Sequence, residues 1–153
     1  MLFAGTDHPL WPEVVRLRQR VFGEEQGISE ESRPDPDDAH SIHALATIET
    51  PDSSPQAVGT GRLTVRPAGQ QEALIAWVAT LPEARRHGVG GAVMRALLAE
   101  ADAAGTPRVA LAAQRHAESF YLELGFTPVG VPYTVRGIPH RWMTRQRPEP
   151  LDI

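Results

Sequence analysis

"VATLPEARRHGVGGAVM", residues 78 to 94, decides the reading of this chain. An apolar run ending at Thr80 gives way to Pro82, then to two arginines, a histidine and three glycines, and an apolar periodicity follows at once. Glycines remove the side chains that would keep a ligand from the backbone, so several N–H groups can turn toward one anion. The first turn of the helix that follows adds unpaired donors and the positive end of its dipole. Arg85 and Arg86 add permanent charge at the rim. The stretch reads as a buried strand, a phosphate loop and a helix.

Three kinds of phosphate loop compete for it. A Walker A loop needs Gly-Lys-Ser/Thr, and all 15 basic residues other than histidine are arginine, so that reading fails. A dinucleotide fingerprint needs G-x-G-x-x-G, a spacing that Gly88, Gly90 and Gly91 do not supply. The pattern R-x-x-G-x-G is met in full by Arg85-Arg86-His87-Gly88-Val89-Gly90, which suits a pyrophosphate. The competing reading is a plain glycine-rich turn with solvated arginines.

The rest of the chain supplies the frame. Leu10, Val14, Leu17 and Val21 recur at spacings of three and four, predicting an amphipathic helix over 10–22 with Pro12 in its first turn and Gly23 as its end. Residues 23–40 carry Glu24, Glu25, Glu30, Glu31, Asp35, Asp37 and Asp38 with two prolines, and read as an irregular acidic loop. Segments 42–48, 57–65 and 72–80 read as strands, the third well buried. A helix over about 88–104 presents Val93, Met94, Leu97, Leu98 and Ala101 on one face and stops at Gly105-Thr106-Pro107. A strand over 108–113, a short helix over 117–124 ended by Gly125, and two strands around Gly137 complete an α/β domain with a mixed sheet.

At 153 residues the chain suits a single domain over 1–153. A formal charge of -4 argues against nucleic acid as a partner, since phosphate backbones are held by excess positive charge. Without cysteine there is no disulfide, thiolate metal site or cysteine nucleophile. No apolar run is long enough for a membrane helix, and no signal pattern opens the chain, so a cytoplasmic protein is expected, with no membrane partner. His40 with Asp37 and Asp38 lacks firm ligand spacing, and no metal is expected.

"VATLPEARRHGVGGAVM" and, further on, "ALAAQRHAESFYLELGF" together resemble the two core motifs of the GCN5-related N-acetyltransferases, the GNAT superfamily. The resemblance spans about residues 14–145, and "LRQRVFGEEQG" with "GIPHRWM" resembles the ElaA-like subgroup. It implies a mixed, mostly antiparallel central sheet flanked by helices and splayed where acetyl-CoA binds. Val78 and Thr80 match the positions whose backbone holds the pantetheine arm, and Arg85 through Gly91 match the pyrophosphate loop. Gln114 stands where many relatives contact the cofactor. Tyr121 matches a tyrosine near the cofactor sulfur and is the expected general acid.

The implied reaction moves an acetyl group from acetyl-CoA directly to a primary amine of a small molecule or peptide. An alkyl amine is mostly protonated at neutral pH, its pKa being about 10.4 if lysine-like, so a base helps. Glu25 is the expected base, because its loop follows the helix that borders the acceptor site in the family. Glu24, His43 and His140 are further candidates, and a solvated loop or hydrogen-bonded structural histidines remain their plainer readings. Trp77 reads as core, with a place near the acyl or acceptor pocket as the other reading. The alternatives are an acyl-homoserine-lactone synthase-like enzyme, which would use an acyl carrier protein and S-adenosylmethionine, and a non-catalytic acyl-CoA sensor. Strands in the C-terminal part leave room for a homodimer.

Overall fold

A computed structural model describes residues 1–28, 35–52, 54–65 and 71–148. Seven strands form one sheet in the order β1-β2-β3-β4-β5-β7-β6. They are β1 (Leu2–Ala4), β2 (Ile42–Ile48), β3 (Gln56–Val65), β4 (Glu72–Thr80), β5 (Arg108–Gln114), β6 (Thr127–Val135) and β7 (Ile138–Gln146). Every pairing is antiparallel except β4–β5. The expected mixed, mostly antiparallel sheet flanked by helices is the observed fold.

Each face has its own helical cover. Helix α2 (Val89–Ala103) lays Val93, Met94, Leu97, Leu98 and Ala101 against Leu63, Ile75, Val109, Leu111 and Met143, and the short helix α3 (Glu118–Glu123) adds Tyr121 to the same cluster. Helix α1 (Trp11–Arg18) covers the other face through Val14 and Leu17, packed with Leu45, Val58, Ala79 and Leu81. Fully burying one such Leu or Val side chain is worth roughly 1.5–3 kcal/mol. Two glycines of β3 let α2 sit this close. A Cβ on Gly61 would lie 2.9 Å from Val93 Cγ1 and 3.0 Å from Leu97 Cδ1, and one on Gly59 would collide with Val89.

Two expectations need correction. Gly23 does not end the first helix, which widens into a π-helical segment over Gln19–Glu25 and is released only at Gly27, in the left-handed region at φ 71°. Tertiary packing overrides the glycine: Val21 and Phe22 are buried, and the Ile28 amide donates to the Phe22 carbonyl at 2.8 Å. The 23–40 stretch is also less irregular than expected where it is described. Pro36–His40 is a 3₁₀ helix whose first turn is capped by the Asp35 carboxylate, accepting from the Asp37 amide at 2.9 Å. Glu30 and Glu31 lie outside the described residues. Strand β1 was not anticipated, because three residues with only Phe3 buried leave no readable period.

Asp38, expected in an irregular acidic loop, is 3% exposed and anchors a buried ionic cluster. Arg18 donates to both its oxygens at 3.1 and 2.9 Å, and Arg62 donates to Oδ1 at 3.1 Å. Arg62 also pairs with Asp35 at 2.8 Å, and Asp35 accepts from Trp77 Nε1 at 3.1 Å. The Arg18 guanidinium lies 5.3 and 5.4 Å from the ring centres of Trp11 and Trp77. Burial lowers the Arg18 pKa from its ordinary value, against the raising influence of Asp38. His43 belongs to this cluster, fully buried and bonded through Nε2 to the Asp38 carbonyl at 2.9 Å.

Candidate active site

The parallel pairing of β4 with β5 lasts only from Glu72↔Arg108 to Leu74↔Ala110. Beyond it, β4 continues to Thr80 along β3, while β5 continues to Gln114 along β7. The two strands therefore part, and the backbone on their facing edges is left without a ladder partner. A bulge marks the parting: Trp77 and Val78 stand opposite the single residue Gly61, with Trp77 at φ 55°. A cleft of about 1130 Å³ opens in the gap.

Most sequence-predicted site residues line this cleft. Val78, Thr80, Arg85, Arg86, Gly88, Val89, Gly90, Gly91, Gln114, Tyr121 and Glu25 do so, as do Trp77 and His140. His87 belongs to the same loop but is not among the lining residues, and neither are Glu24 and His43.

The loop over 85–91 adopts a backbone that its glycines permit. Gly88 caps α2 at φ 78° and Arg86 has φ 67°, so the loop contains two left-handed residues. No side chain caps the helix, and its first internal bond runs from the Ala92 amide to the Gly88 carbonyl at 3.0 Å. The amides of Val89, Gly90 and Gly91 thus precede any intrahelical partner, at the positive end of the dipole. A Cβ on Gly90 would come within 3.4 Å of Phe120, so glycine keeps this wall clear. An anion such as a pyrophosphate fits here.

Arg85 is already engaged. Its Nε donates to the Thr80 carbonyl at 3.0 Å, and its two terminal nitrogens meet the two Glu25 oxygens at 2.8 Å each. Glu25 lines the cleft, but both its oxygens are held by Arg85. Gln114 is engaged too, in a reciprocal amide pair with Gln26 at 2.9 and 3.2 Å. Sequence reasoning missed Gln26, whose only signal was its place beside Glu25 in "GEEQG"; its partner is 88 residues away.

Tyr121 lies against Phe120 and Phe126, edge to face with ring centres 5.0 and 5.9 Å apart. It is 8% exposed and lines the cleft. Burial pushes its pKa up to about 12, because the phenolate would lose solvation. The hydroxyl therefore keeps its proton at neutral pH and is available as a donor into the cleft.

Comparison with known proteins agrees with this geometry. Residues 11–126 match the model of the Acetyltransferase (GNAT) family. The chain is 30% identical to YyaT of Bacillus subtilis (strain 168) over 137 residues, covering 88% of this chain and 87% of that protein. It superposes on an acyl-CoA N-acyltransferase from Pseudomonas aeruginosa with TM-score 0.80 and 27% identity, covering 95% and 97% of the two chains. Escherichia coli ElaA superposes with TM-score 0.81 and 25% identity at the same coverage, 95% and 97%. A CoA-dependent acyl-homoserine lactone synthase, BjaI, shares the fold alone, with TM-score 0.72 and 17% identity over 96% of this chain and 82% of that one. A sheet parted beside an uncapped, glycine-opened helix start, and a family match across both, identify the chain as a member of the GNAT acetyltransferase family, an N-acyltransferase of the ElaA-like kind that draws its acyl group from coenzyme A.

Proposed function

We propose that the protein transfers an acetyl group from acetyl-CoA directly to a primary amine of a small molecule or peptide. The observation that carries this reading is the junction of three features in one cleft: the parted β4 and β5 edges, the uncapped start of α2, and the protonated Tyr121 hydroxyl. The pyrophosphate would lie on the Val89–Gly91 amides with Arg85 and Arg86. The pantetheine arm would follow the free edge of β4 at Val78 and Thr80, in the manner of an added strand. Gln114 would then exchange its bond with Gln26 for one to the cofactor.

The amine attacks the thioester carbonyl, and the thiolate departs toward Tyr121. An ordinary thiol has a pKa of about 8.5, well below that of Tyr121, so the hydroxyl serves as a hydrogen-bond donor to the developing thiolate before any proton moves. No acyl-enzyme is required. Glu25 acts in this reading by holding Arg85 at the loop, since its two oxygens are committed there. The reaction belongs in the cytoplasm, where acetyl-CoA is made available; no described helix is long and apolar enough to cross a membrane. A homodimer belongs to the same reading, through edge strand β6, whose Val129, Val131, Tyr133 and Val135 are exposed.

The test is calorimetric titration with acetyl-CoA, followed by turnover on an amine panel. Saturable binding and acetylation of at least one amine are expected. Absence of acetyl-CoA binding contradicts the reading, and binding without turnover on any amine favours a non-catalytic sensor. Acylation of S-adenosylmethionine in preference to simple amines would favour the lactone-synthase reading.

A further inference from the structure

The geometry points to His140 as the proton acceptor for the incoming amine, a role no other described group in the cleft is as well placed to take. This inference rests on the N-acetyltransferase reading above and assigns its missing base. The titratable groups lining the cleft are Glu25, Arg85, Arg86, His116, Tyr121, Arg136 and His140. Arginine does not give up its proton, Tyr121 holds its own, and Glu25 is paired with Arg85 through both oxygens. Two imidazoles are left.

His140 is set up as a base by its own strand. Its Nδ1 lies 2.8 Å from the Ile138 carbonyl, an acceptor that can bind only a protonated nitrogen. In the neutral ring the proton is therefore on Nδ1, and Nε2 carries the lone pair. Tyr133 stacks on the ring with centroids 5.9 Å apart and planes 20° from parallel, which fixes its orientation. His116 has no such arrangement: it lies exposed on the 3₁₀ turn Arg115–Ala117 ahead of α3.

Strand alternation then places His140 opposite the acid. Met143 is buried in the cluster that holds Tyr121, and Arg141 pairs with Glu118 of α3 at 3.4 Å, so residues 141 and 143 face α3. His140 faces the other side of the sheet. Gln114, its register partner on β5, shares that side and bonds to Gln26 at the end of the π-helical segment. An amine entering between that segment and the β6–β7 hairpin meets His140 on one side of the parted strands, while the thiolate leaves toward Tyr121 on the other.

His140 Nε2 takes one proton from the ammonium, and the freed nitrogen forms the N–C bond. The C–S bond breaks as the tetrahedral intermediate collapses. The second amine proton leaves to solvent after His140 has released the first, and the thiolate, held by the hydrogen bond from the Tyr121 hydroxyl, takes its proton from solvent. The titratable groups that share the cleft lining with His140 are the Glu25–Arg85 pair, Arg86, His116, Tyr121 and Arg136, while its strand neighbour Arg141 pairs with Glu118.

The test is the pH profile of kcat/KM with phenethylamine, spermidine and a dipeptide with a free N-terminus as acceptors. Released CoA is read with a thiol reagent, which sees nothing else because the chain has no cysteine. Wild-type kcat/KM should level off well below the pKa of the amine, because the ammonium form is then a usable substrate. His140→Asn, whose amide can still donate to the Ile138 carbonyl, should lose about 100-fold at neutral pH and, with the two alkyl amines, keep rising toward their own pKa of about 10.4. Its acetyl-CoA affinity should not change. His140→Ala should recover part of its rate with added imidazole, and serves if the asparagine variant folds poorly. A His140→Asn profile that levels off as the wild type does, with a rate within about threefold, overturns the assignment while leaving the acetyltransferase reading intact. Failure of the wild type to acetylate any of the three, with acetyl-CoA bound, overturns both.

Discussion

Tyr121 shows how a single residue can be chemically prepared by packing alone. Phe120 and Phe126 exclude water from its ring, and that exclusion raises the pKa to about 12 without any charged neighbour. Tyr121→Phe removes the hydroxyl and keeps the packing. Turnover should fall about 100-fold while acetyl-CoA affinity and melting temperature stay put, as steady-state kinetics, calorimetry and thermal melts would show. A matching loss of affinity would mean that the hydroxyl serves binding. Glu25 teaches the complementary lesson. The sequence placed it near the acceptor, and it lines the cleft, but its chemistry is decided by a partner 60 residues away. No local pattern announces that Arg85 turns back to meet it.

At the scale of elements, the strand–loop–helix unit was the most legible part of the chain. Its signals are local: the apolar face of α2, the glycines ahead of it, and the arginines at its mouth. The bulge at Trp77 and the π-helical run through Gly23 were not legible, because both exist to satisfy packing across the sheet. The same is true of Gly61, whose lack of a Cβ matters only because α2 lies against it. Gly61→Ala should destabilise the fold by about 1–3 kcal/mol, the usual cost of overpacking, since Val93 and Leu97 are buried and have little room to yield. Chemical denaturation would measure it. A neutral result would mean that α2 can shift outward at little cost, and with it the uncapped helix start at the cleft.

Across the whole molecule, one sheet carries two separate covers, and the site is the gap between its two halves. Most of the strand order follows the chain, so the mixed sheet was within reach of the sequence; the place where β4 and β5 part was implied only through the family resemblance. The buried ionic cluster was out of reach, since aspartates in a proline-rich acidic stretch ordinarily face water. Here Asp35 and Asp38 instead tie that stretch to α1, β3 and, through Trp77, to the wall of the cleft. Burial works to raise the Asp35 pKa, but the Asp37 amide, Arg62 and Trp77 outweigh it and lower it to about 2. A carboxylate depressed in the folded state contributes stability above its unfolded pKa of about 3.9 and loses it as pH falls through the folded value. The stability gap between wild type and Asp35→Asn should therefore be full at neutral pH and close between about pH 4 and 2, followed by thermal melts. A gap that persists at pH 2 would assign the difference to packing instead of charge.

Direct transfer from acetyl-CoA to an amine within the parted sheet requires a strict stoichiometry within one turnover. Rapid-quench mass spectrometry of protein, cofactor and acceptor during a single turnover tests it most directly. One acetylated amine should appear for each CoA thiol released, with no acetyl group on the chain at any time. An acetylated chain that forms and decays ahead of product, or CoA released while the amine stays unmodified, would contradict it.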